Sequence, residues 1–584
     1  MKHRIRAFFA LLVASALVAT ALSPIALAGG GLHPVHARHG MVVSAQALAS
    51  RAGVNILRAG GNAVDAAVAT GFALAVVLPQ AGNLGGGGFM LIRLASGATH
   101  FIDFRETAPS RATATMYQDA HGNVVPGLSR IGYLSIGVPG SVKGLVYAEQ
   151  HFGRLGLRRV MAPAIRLARD GFKLSWAEAH MMSRDRRLAQ FPASERIFQN
   201  GGRGWHQGDL FKQPLLARTL ERIAAKPDDF YTGAMAREIA AYIERGGGII
   251  TAQDLANYRA VDRRPVFGTY RGLTIISAPP PSSGGIALIE ALNILEGFDL
   301  HQAGLDSARS IHLIAEAYRR AFFDRAQFLG APGPGAAPVL ELLDKRYAAA
   351  WRSSILPDRA SSNASLVRPS TFPNLIDYAR EHPILPHPKE GDDTTHYSVV
   401  DAAGNAVSVT TTLNGYFGSH VTVAPLGFLL NDEMDDFASK VGAPNMFGLI
   451  QGEANAISPG KRPLSSMTPT MVLKHGKLWL VLGSPGGPTI ITTVANILIG
   501  VEDYGLDIQE AVDSARFHQQ WMPDVLFLEP GRFSPDTVRI LESDGYRIVD
   551  RDHGDGECIE IDLATGERLG ASDFRNEDGA AIGY

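Results

Sequence analysis

Hydrophobic and polar positions follow several distinct rhythms along this chain. Residues 44–61, SAQALASRAGVNILRAGG, carry apolar side chains at helical spacing and end in Gly60-Gly61, a helix stop signal. The next segment, NAVDAAVATGFALAVVLP, begins on the good N-cap Asn62 and stops before Pro79. It is apolar almost all round, which predicts a buried helix. AGNLGGGGFMLIRLA (81–95) then runs through glycines into a strand. From about 145 to 330 the pattern is mostly helical, and 307–330, SARSIHLIAEAYRRAFFDRAQFLG, reads as a long amphipathic helix. Residues 357–393 break this order with Pro357, Pro369, Pro373, Pro383, Pro386 and Pro388, as a surface tail or linker would. At Thr394 the pattern switches at once to β.

Bulk properties narrow the classes. A chain of 584 residues is too long for one ordinary core, so several domains or one large multilayer body are expected. A formal net charge of −2 supplies no field for nucleic acid. The single cysteine, Cys558, excludes an internal disulfide and any multi-cysteine metal cluster. Lys2, Arg4 and Arg6, the apolar run 7–22 and Ala26-Leu27-Ala28 read as an export signal, residues 1–28, cut after Ala28. No later segment is long and apolar enough to span a membrane. The mature protein is therefore expected to be soluble, and periplasmic or secreted. The glycines of 81–95 lack a following Gly-Lys-Ser/Thr and precede a strand, so close backbone approach explains them better than phosphate binding. His312 and Glu316 are four apart on one helix, and His33, His36 and His39 cluster near the mature start; a helix-face pair and a frayed terminus account for both better than a metal does.

The stretch TTHYSVVD-AAG-NAVSVTTTL (394–413) reads as two strands around a Gly404-Asn405 turn. If Asp401 pairs with Asn405 or Ala406, antiparallel register sets Thr394 opposite Thr412 or Leu413. A hydroxyl nucleophile needs a base. His396, two residues along, shares the face of Thr394 and could serve as a local base, but a plain strand histidine is the better reading. Cutting the Asp393–Thr394 bond would give Thr394 a free α-amine, with an ordinary pKa near ~7.7–8.0, able to take its own hydroxyl proton. From the local residues alone, an ordinary hairpin of β-favouring threonines is the better reading.

Five motifs in order tip that balance. TTHYSVVDAAGNAVSVTTTLN, NDEMDDF (431–437), KRPLSSMTPT (461–470), GSPGG (483–487) and DFRETAP (103–109), with GMVVSAQALASRAGVNILRAGGNAVDAAVA near the start, resemble the bacterial γ-glutamyltranspeptidases over nearly the whole mature chain. The resemblance implies an N-terminal nucleophile hydrolase: an α+β, four-layer αββα sandwich, made as a precursor that cleaves itself. The implied pieces are a large subunit, 29–393, ending in the proline-rich 357–393 tail, and a small subunit, 394–584, joined as a heterodimer. It implies γ-glutamyl transfer from glutathione and related amides, through a threonine ester, to water or to amino-acid and peptide acceptors. No cofactor, metal, nucleic acid or stable membrane anchor is implied.

Residue by residue, the resemblance makes Asp393-Thr394 the cleavage site, Thr394 the nucleophile, Thr412 its hydrogen-bond partner, and Gly486 and Gly487 the oxyanion hole. Arg105 matches the clamp on the substrate α-carboxylate, helped by Ser465 and Ser466. Asn414, Glu433 and Asp436 match the acceptors around the α-ammonium; Glu433 stands where some bacterial members have glutamine. Phe447 lies where many have a lid tyrosine, and Pro488-Thr489 replaces the Ser-Arg expected after the glycines, a change expected to alter the site mouth or the acceptor preference. The rival within the fold is a glutaryl- or cephalosporin-type acylase, whose substrates need no ammonium.

Overall fold

A computed structural model describes residues 33–332, 338–369 and 393–584. The segment 1–28 read as an export signal therefore lies outside the described residues, as does most of the proline-rich stretch.

Two seven-stranded antiparallel sheets lie face to face. One runs, edge to edge, Ala580–Gly583, Met41–Ser44, Asp393–Val400, Ala406–Asn414, Gly87–Arg93, Thr99–Asp103, Val261–Arg263. The other runs Val35–Ala37, Arg568–Ser572, Glu557–Ile561, Lys477–Leu482, Thr470–Lys474, Leu273–Ser277, Val266–Tyr270. Each sheet mixes strands from before and after Thr394.

Helices cover both outer faces. Ala47–Arg58 and Ala63–Val77 pack on the first sheet, and Gly284–Leu295, Ala308–Phe328 and Thr489–Tyr504 on the second. Between the sheets lies a third apolar layer, including Met41, Val43, Phe89, Phe101, Met471, Val481 and Ile559. This is the expected αββα order. The Ala63–Val77 helix is buried along its whole length, as its apolar surface predicts. It starts at Asn62, whose side chain accepts from the amides of Val64 and Asp65 while Asp65 accepts from Asn62 in return.

The hairpin forms in the first expected register: Val400 pairs with Ala406 and Thr394 with Thr412. Its strand starts at Asp393, one residue earlier than the pattern suggests. Alternation then sorts its side chains. Tyr397 and Val399 face the helices, and Val400 joins the layer between the sheets. The Ser398 hydroxyl, on the same face as Val400, donates to the carbonyl of Glu557 in the opposite sheet at 2.7 Å. The inter-sheet face thus turns from apolar to polar along the strand, towards Thr394.

The glycine run behaves as expected. A Cβ on Gly85 would lie 2.1 Å from the Leu429 carbonyl oxygen, and one on Gly86 2.0 Å from that of Thr412. These glycines let three backbones meet directly behind Thr412. His312 bonds the Leu356 carbonyl and the Tyr546 hydroxyl, and Glu316 is ion-paired to Arg319 and Arg320. That pair is engaged within its own helix and with the flanking segments at Leu356 and Tyr546. Among the described residues no helix is long and apolar enough to cross a membrane.

Candidate active site

Thr394 sits in mid-sheet, between the Met41–Ser44 and Ala406–Asn414 strands. Its hydroxyl donates to Thr412 Oγ1 at 3.2 Å, and that oxygen also accepts the amide of Asn414 at 2.8 Å. The ladder is irregular at one step, between Asp393 and Thr394: Asp393 pairs with Asn414 and Thr394 with Thr412, so Leu413 has no opposite number. Asn414 adopts φ +84°, a left-handed backbone that asparagine tolerates better than most residues. The bond read as scissile is thus the one place where this ladder breaks step.

His396 is buried, bonded to the Thr410 and Ser398 hydroxyls. Burial pushes its imidazole down to about 3. It shares Thr394's face, yet both its nitrogens are engaged inside the sandwich, so it is a structural strand histidine and not a local base.

Beside Thr394 is a small cavity with about 20 Å³ of free space. Every site residue singled out from sequence lines it except Gly486 and Asp393. Arg105, fully buried, reaches from the end of the Thr99–Asp103 strand. One of its terminal nitrogens bonds Glu433 and the other Asp436, both on a single helical turn, Glu433–Asp436. Glu106 lies 3.8 Å from the same guanidinium and, among the described residues, has no hydrogen-bond partner on either oxygen. Burial alone would lower the Arg105 pKa; the carboxylates of Glu433, Asp436 and Glu106 outweigh it and raise it, so the guanidinium stays charged. Burial likewise raises Glu433 well above the usual carboxylate range, against the pull of Arg105 and with repulsion from Glu106 and Asp436 added. Glu106 rises to about 7, with burial the main cause. One guanidinium therefore bridges Glu433 and Asp436 with Glu106 close by, Arg325 and Arg462 lie near the same acids, and burial favours the protonated forms of Glu433 and Glu106.

Polar capacity is left over on the ligand side. Ser465 Oγ accepts from the Met467 amide at 3.0 Å and Ser466 Oγ from Arg325 at 3.1 Å; among the described residues neither hydroxyl donates. Asn414 Nδ2 donates to the Asp432 carbonyl at 3.2 Å, which fixes the amide so that its oxygen has no donor of its own among the described residues.

Gly486 and Gly487 form the turn before the Thr489–Tyr504 helix, with φ +127° and +55°. Their amides donate to no group among the described residues and lie at a helix N-terminus, where the backbone favours negative charge. Thr489 is buried, and its hydroxyl donates to the Gly486 carbonyl at 2.8 Å. Thr489 thus braces the glycine turn from within.

Phe447 lies in a loop that spans both the small cavity and a much larger one of about 1140 Å³, and Thr394 also lines both. The loop is tied back by Asn445, whose Nδ2 donates to Asp436 at 3.2 Å and whose Oδ1 accepts the amides of Phe447 and Leu449 at 3.1 Å. Neither Asn445 nor Gly554, which packs against Pro485 and Gly486, is evident from the sequence. Asparagines and glycines in loops carry no periodicity, and Gly554 acts on residues far away in the chain.

Residues 49–583 match the sequence profile of a family described as Gamma-glutamyltranspeptidase. The chain is 47% identical to a protein of Pseudomonas sp. (strain A14) described as glutathione hydrolase proenzyme, over 97% of this chain and 99% of that one. Among solved structures it is similar to a cephalosporin acylase from Bacillus halodurans, with TM-score 0.81 and 27% identity, covering 95% of this chain and 97% of that one. It is also similar to a gamma-glutamyltranspeptidase of Helicobacter pylori, with TM-score 0.54 and 44% identity, covering 55% of this chain and 93% of that one.

Proposed function

This chain belongs to the γ-glutamyltranspeptidase family, and on that premise we propose how its own residues carry the reaction. It is a γ-glutamyltransferase and glutathione hydrolase, made as one precursor that processes itself into a heterodimer. The cut falls between Asp393 and Thr394, giving subunits 29–393 and 394–584. Residues 1–28 direct export, and the mature enzyme works in the periplasm or outside the cell.

In maturation, Thr394 Oγ1 attacks the Asp393 carbonyl carbon. The new C–O bond replaces the C–N bond, and water then hydrolyses the ester. The freed α-amine serves as base for the same hydroxyl in turnover. Oγ1 attacks the γ-carbonyl of a γ-glutamyl amide, and the amide nitrogen leaves with a proton. Water or an acceptor amine then takes the acyl group from Thr394. The Gly486 and Gly487 amides receive the developing oxyanion.

The observation that carries the donor assignment is the buried bridge from Arg105 to Glu433 and Asp436 in the small cavity beside Thr394. A glutamyl head brings an α-carboxylate for Arg105, Ser465 and Ser466, and an α-ammonium for Glu433, Asp436 and Asn414. It exchanges one set of ion pairs for another, the ammonium taking the guanidinium's place at the two acids. A glutaryl head brings the carboxylate without the ammonium, and leaves Glu433 and Asp436 facing each other unpaired. The likeness to a cephalosporin acylase, at 27% identity, fits that rival more weakly than the 47% relative fits the glutamyl reading.

Two experiments test this. Wild-type protein should give two bands on a denaturing gel, the smaller beginning TTHYS, while Thr394→Ala stays one chain and loses turnover by at least ~10³-fold. A γ-glutamyl anilide should be cleaved in preference to a glutaryl anilide; the reverse preference assigns the chain to the acylases.

A further inference from the structure

Arg105 stands just past the end of its ladder. The last backbone bonds there are those of Phe104 with Gly88. From Arg105 on, side chains take over. Its amide donates to Asp103 Oδ1 at 3.0 Å. Its carbonyl accepts the Tyr258 hydroxyl at 2.8 Å and Arg462 Nη1 at 2.6 Å. The same Nη1 donates to Asp103 Oδ1 at 2.7 Å, and Nη2 donates to the Arg259 carbonyl at 2.6 Å. One guanidinium thus grips both the carboxylate that fixes the Arg105 amide and the Arg105 carbonyl itself.

The segment that carries Arg462 also guides the Arg105 side chain. Arg105 Nε and Nη2 donate to the carbonyls of Pro463 and Leu464 at 3.4 and 3.3 Å. Two backbone bonds lay this segment along 105–108: the Ala108 amide to the Lys461 carbonyl at 2.8 Å, and the Gly460 amide to the Ala108 carbonyl at 2.9 Å. On the reading above, Arg105, Asp103 and Tyr258 belong to the large subunit and Arg462 to the small one.

Arg462, Asp103 and Tyr258 are all buried. Burial alone would lower the Arg462 pKa; Asp103 first, and Tyr258 next, outweigh it, so the guanidinium stays charged. Asp103 does not need Arg462 for neutrality, because Arg263 bonds it too, at 2.7 Å. What Arg462 adds beyond charge is the link from that carboxylate to the Arg105 carbonyl. It does not line the small cavity beside Thr394, so it reaches a ligand only through Arg105.

We propose that Arg462 is a positioning residue for the donor site: across the subunit boundary it fixes the backbone of Arg105, and so sets where that guanidinium meets the donor's α-carboxylate. The inference rests on the donor reading above. Two-pronged pairing tolerates little displacement, and a misplacement of about 1 Å costs up to about 10²-fold. Self-cleavage brings no α-carboxylate to Arg105, so this role leaves it untouched.

The test uses mature enzyme, a γ-glutamyl p-nitroanilide as donor, and free glutamate as a competitive inhibitor with the same head group. Arg462→Gln should raise the KM for the anilide about tenfold and the Ki for glutamate in parallel, with kcat within about threefold of wild type. Arg462→Lys keeps the charge but not the fork, and should fall between. Tyr258→Phe, which removes one bond to the same carbonyl, should raise both constants about threefold. The precursors of all three should cleave themselves at the wild-type rate, followed on the gel. Constants at wild-type values in Arg462→Lys and Tyr258→Phe overturn the proposal, whether or not Arg462→Gln folds. So does a slowing of self-cleavage equal to the loss in kcat/KM, the mark of a general brace. If wild-type enzyme prefers a glutaryl anilide, the donor reading fails instead, and the same comparison on that substrate's carboxylate still decides the role of Arg462.

Discussion

On one side of Thr394, Arg105, Glu433 and Asp436 close on each other around about 20 Å³ of free space; on the other, acidic side chains ring about 1140 Å³. The first region is buried and ion-paired, so a ligand gains only by replacing each pair with one of equal quality. The second is open, and its charge is spread over a rim where water screens it. The first geometry demands one head group. The second is wide and makes no comparable demand on what enters it.

The sharpest way to break the contrast is to spoil the strict side alone. Arg105→Lys keeps the charge but loses the two-pronged geometry and leaves buried carboxylates poorly matched, so kcat/KM for the γ-glutamyl anilide should fall by roughly 10²–10³-fold. The KM for the acceptor glycylglycine, read at saturating donor, should hardly move. A parallel rise in both would mean that the cavities are one site.

A smaller effect is expected from the wall they share. A Cβ on Gly554 would meet the Pro485 carbonyl oxygen at 2.3 Å. Gly554→Ala should therefore shift the glycine turn and lower kcat by about 10–10²-fold for hydrolysis and transfer alike, leaving both KM values near wild type. Selective loss of transfer would instead place Gly554 in the acceptor site.

The smallest expected effect concerns the rim's own charge. Burial, chiefly, raises Glu178 to about 7, with the Asp578 charge adding to it. The folded chain then holds this proton to higher pH than the unfolded chain, whose carboxyl titrates near 4.5. Stability from this group is complete below that value and is lost as pH rises through about 7. Glutamine can replace glutamate in the capping box that Glu178 makes with Ser175. Glu178→Gln should thus reduce the drop in Tm between pH 5 and pH 8 by a few degrees. An unchanged drop would show that Glu178 titrates normally and that the rim is better solvated than its burial suggests.

Local order was legible where the chain's neighbours in sequence are also its neighbours in space. Gly404-Asn405 settles the hairpin, and with it the meeting of Thr394 and Thr412. Asn62 settles where a buried helix begins. Arg105 and Glu433 lie 328 positions apart, and no periodicity links them; only resemblance to a family brought them together. Arg462 was invisible for a different reason. An arginine in KRPLSS reads as one more polar loop residue until the Arg105 carbonyl beside it is seen. The same holds for Thr489, found bracing the glycine turn from inside.

The Met41–Ser44 strand bonds on one side to the strand of Thr394 and on the other to Ala580–Gly583 near the chain's end. Strands from before and after Thr394 are hydrogen-bonded to one another at several seams in both sheets. Maturation therefore resembles snipping one thread in a woven cloth: the pieces stay interlaced though no longer joined. Diluting the mature enzyme should not part its halves, because parting them means unravelling both sheets. For this molecule, dissociation and denaturation are the same event.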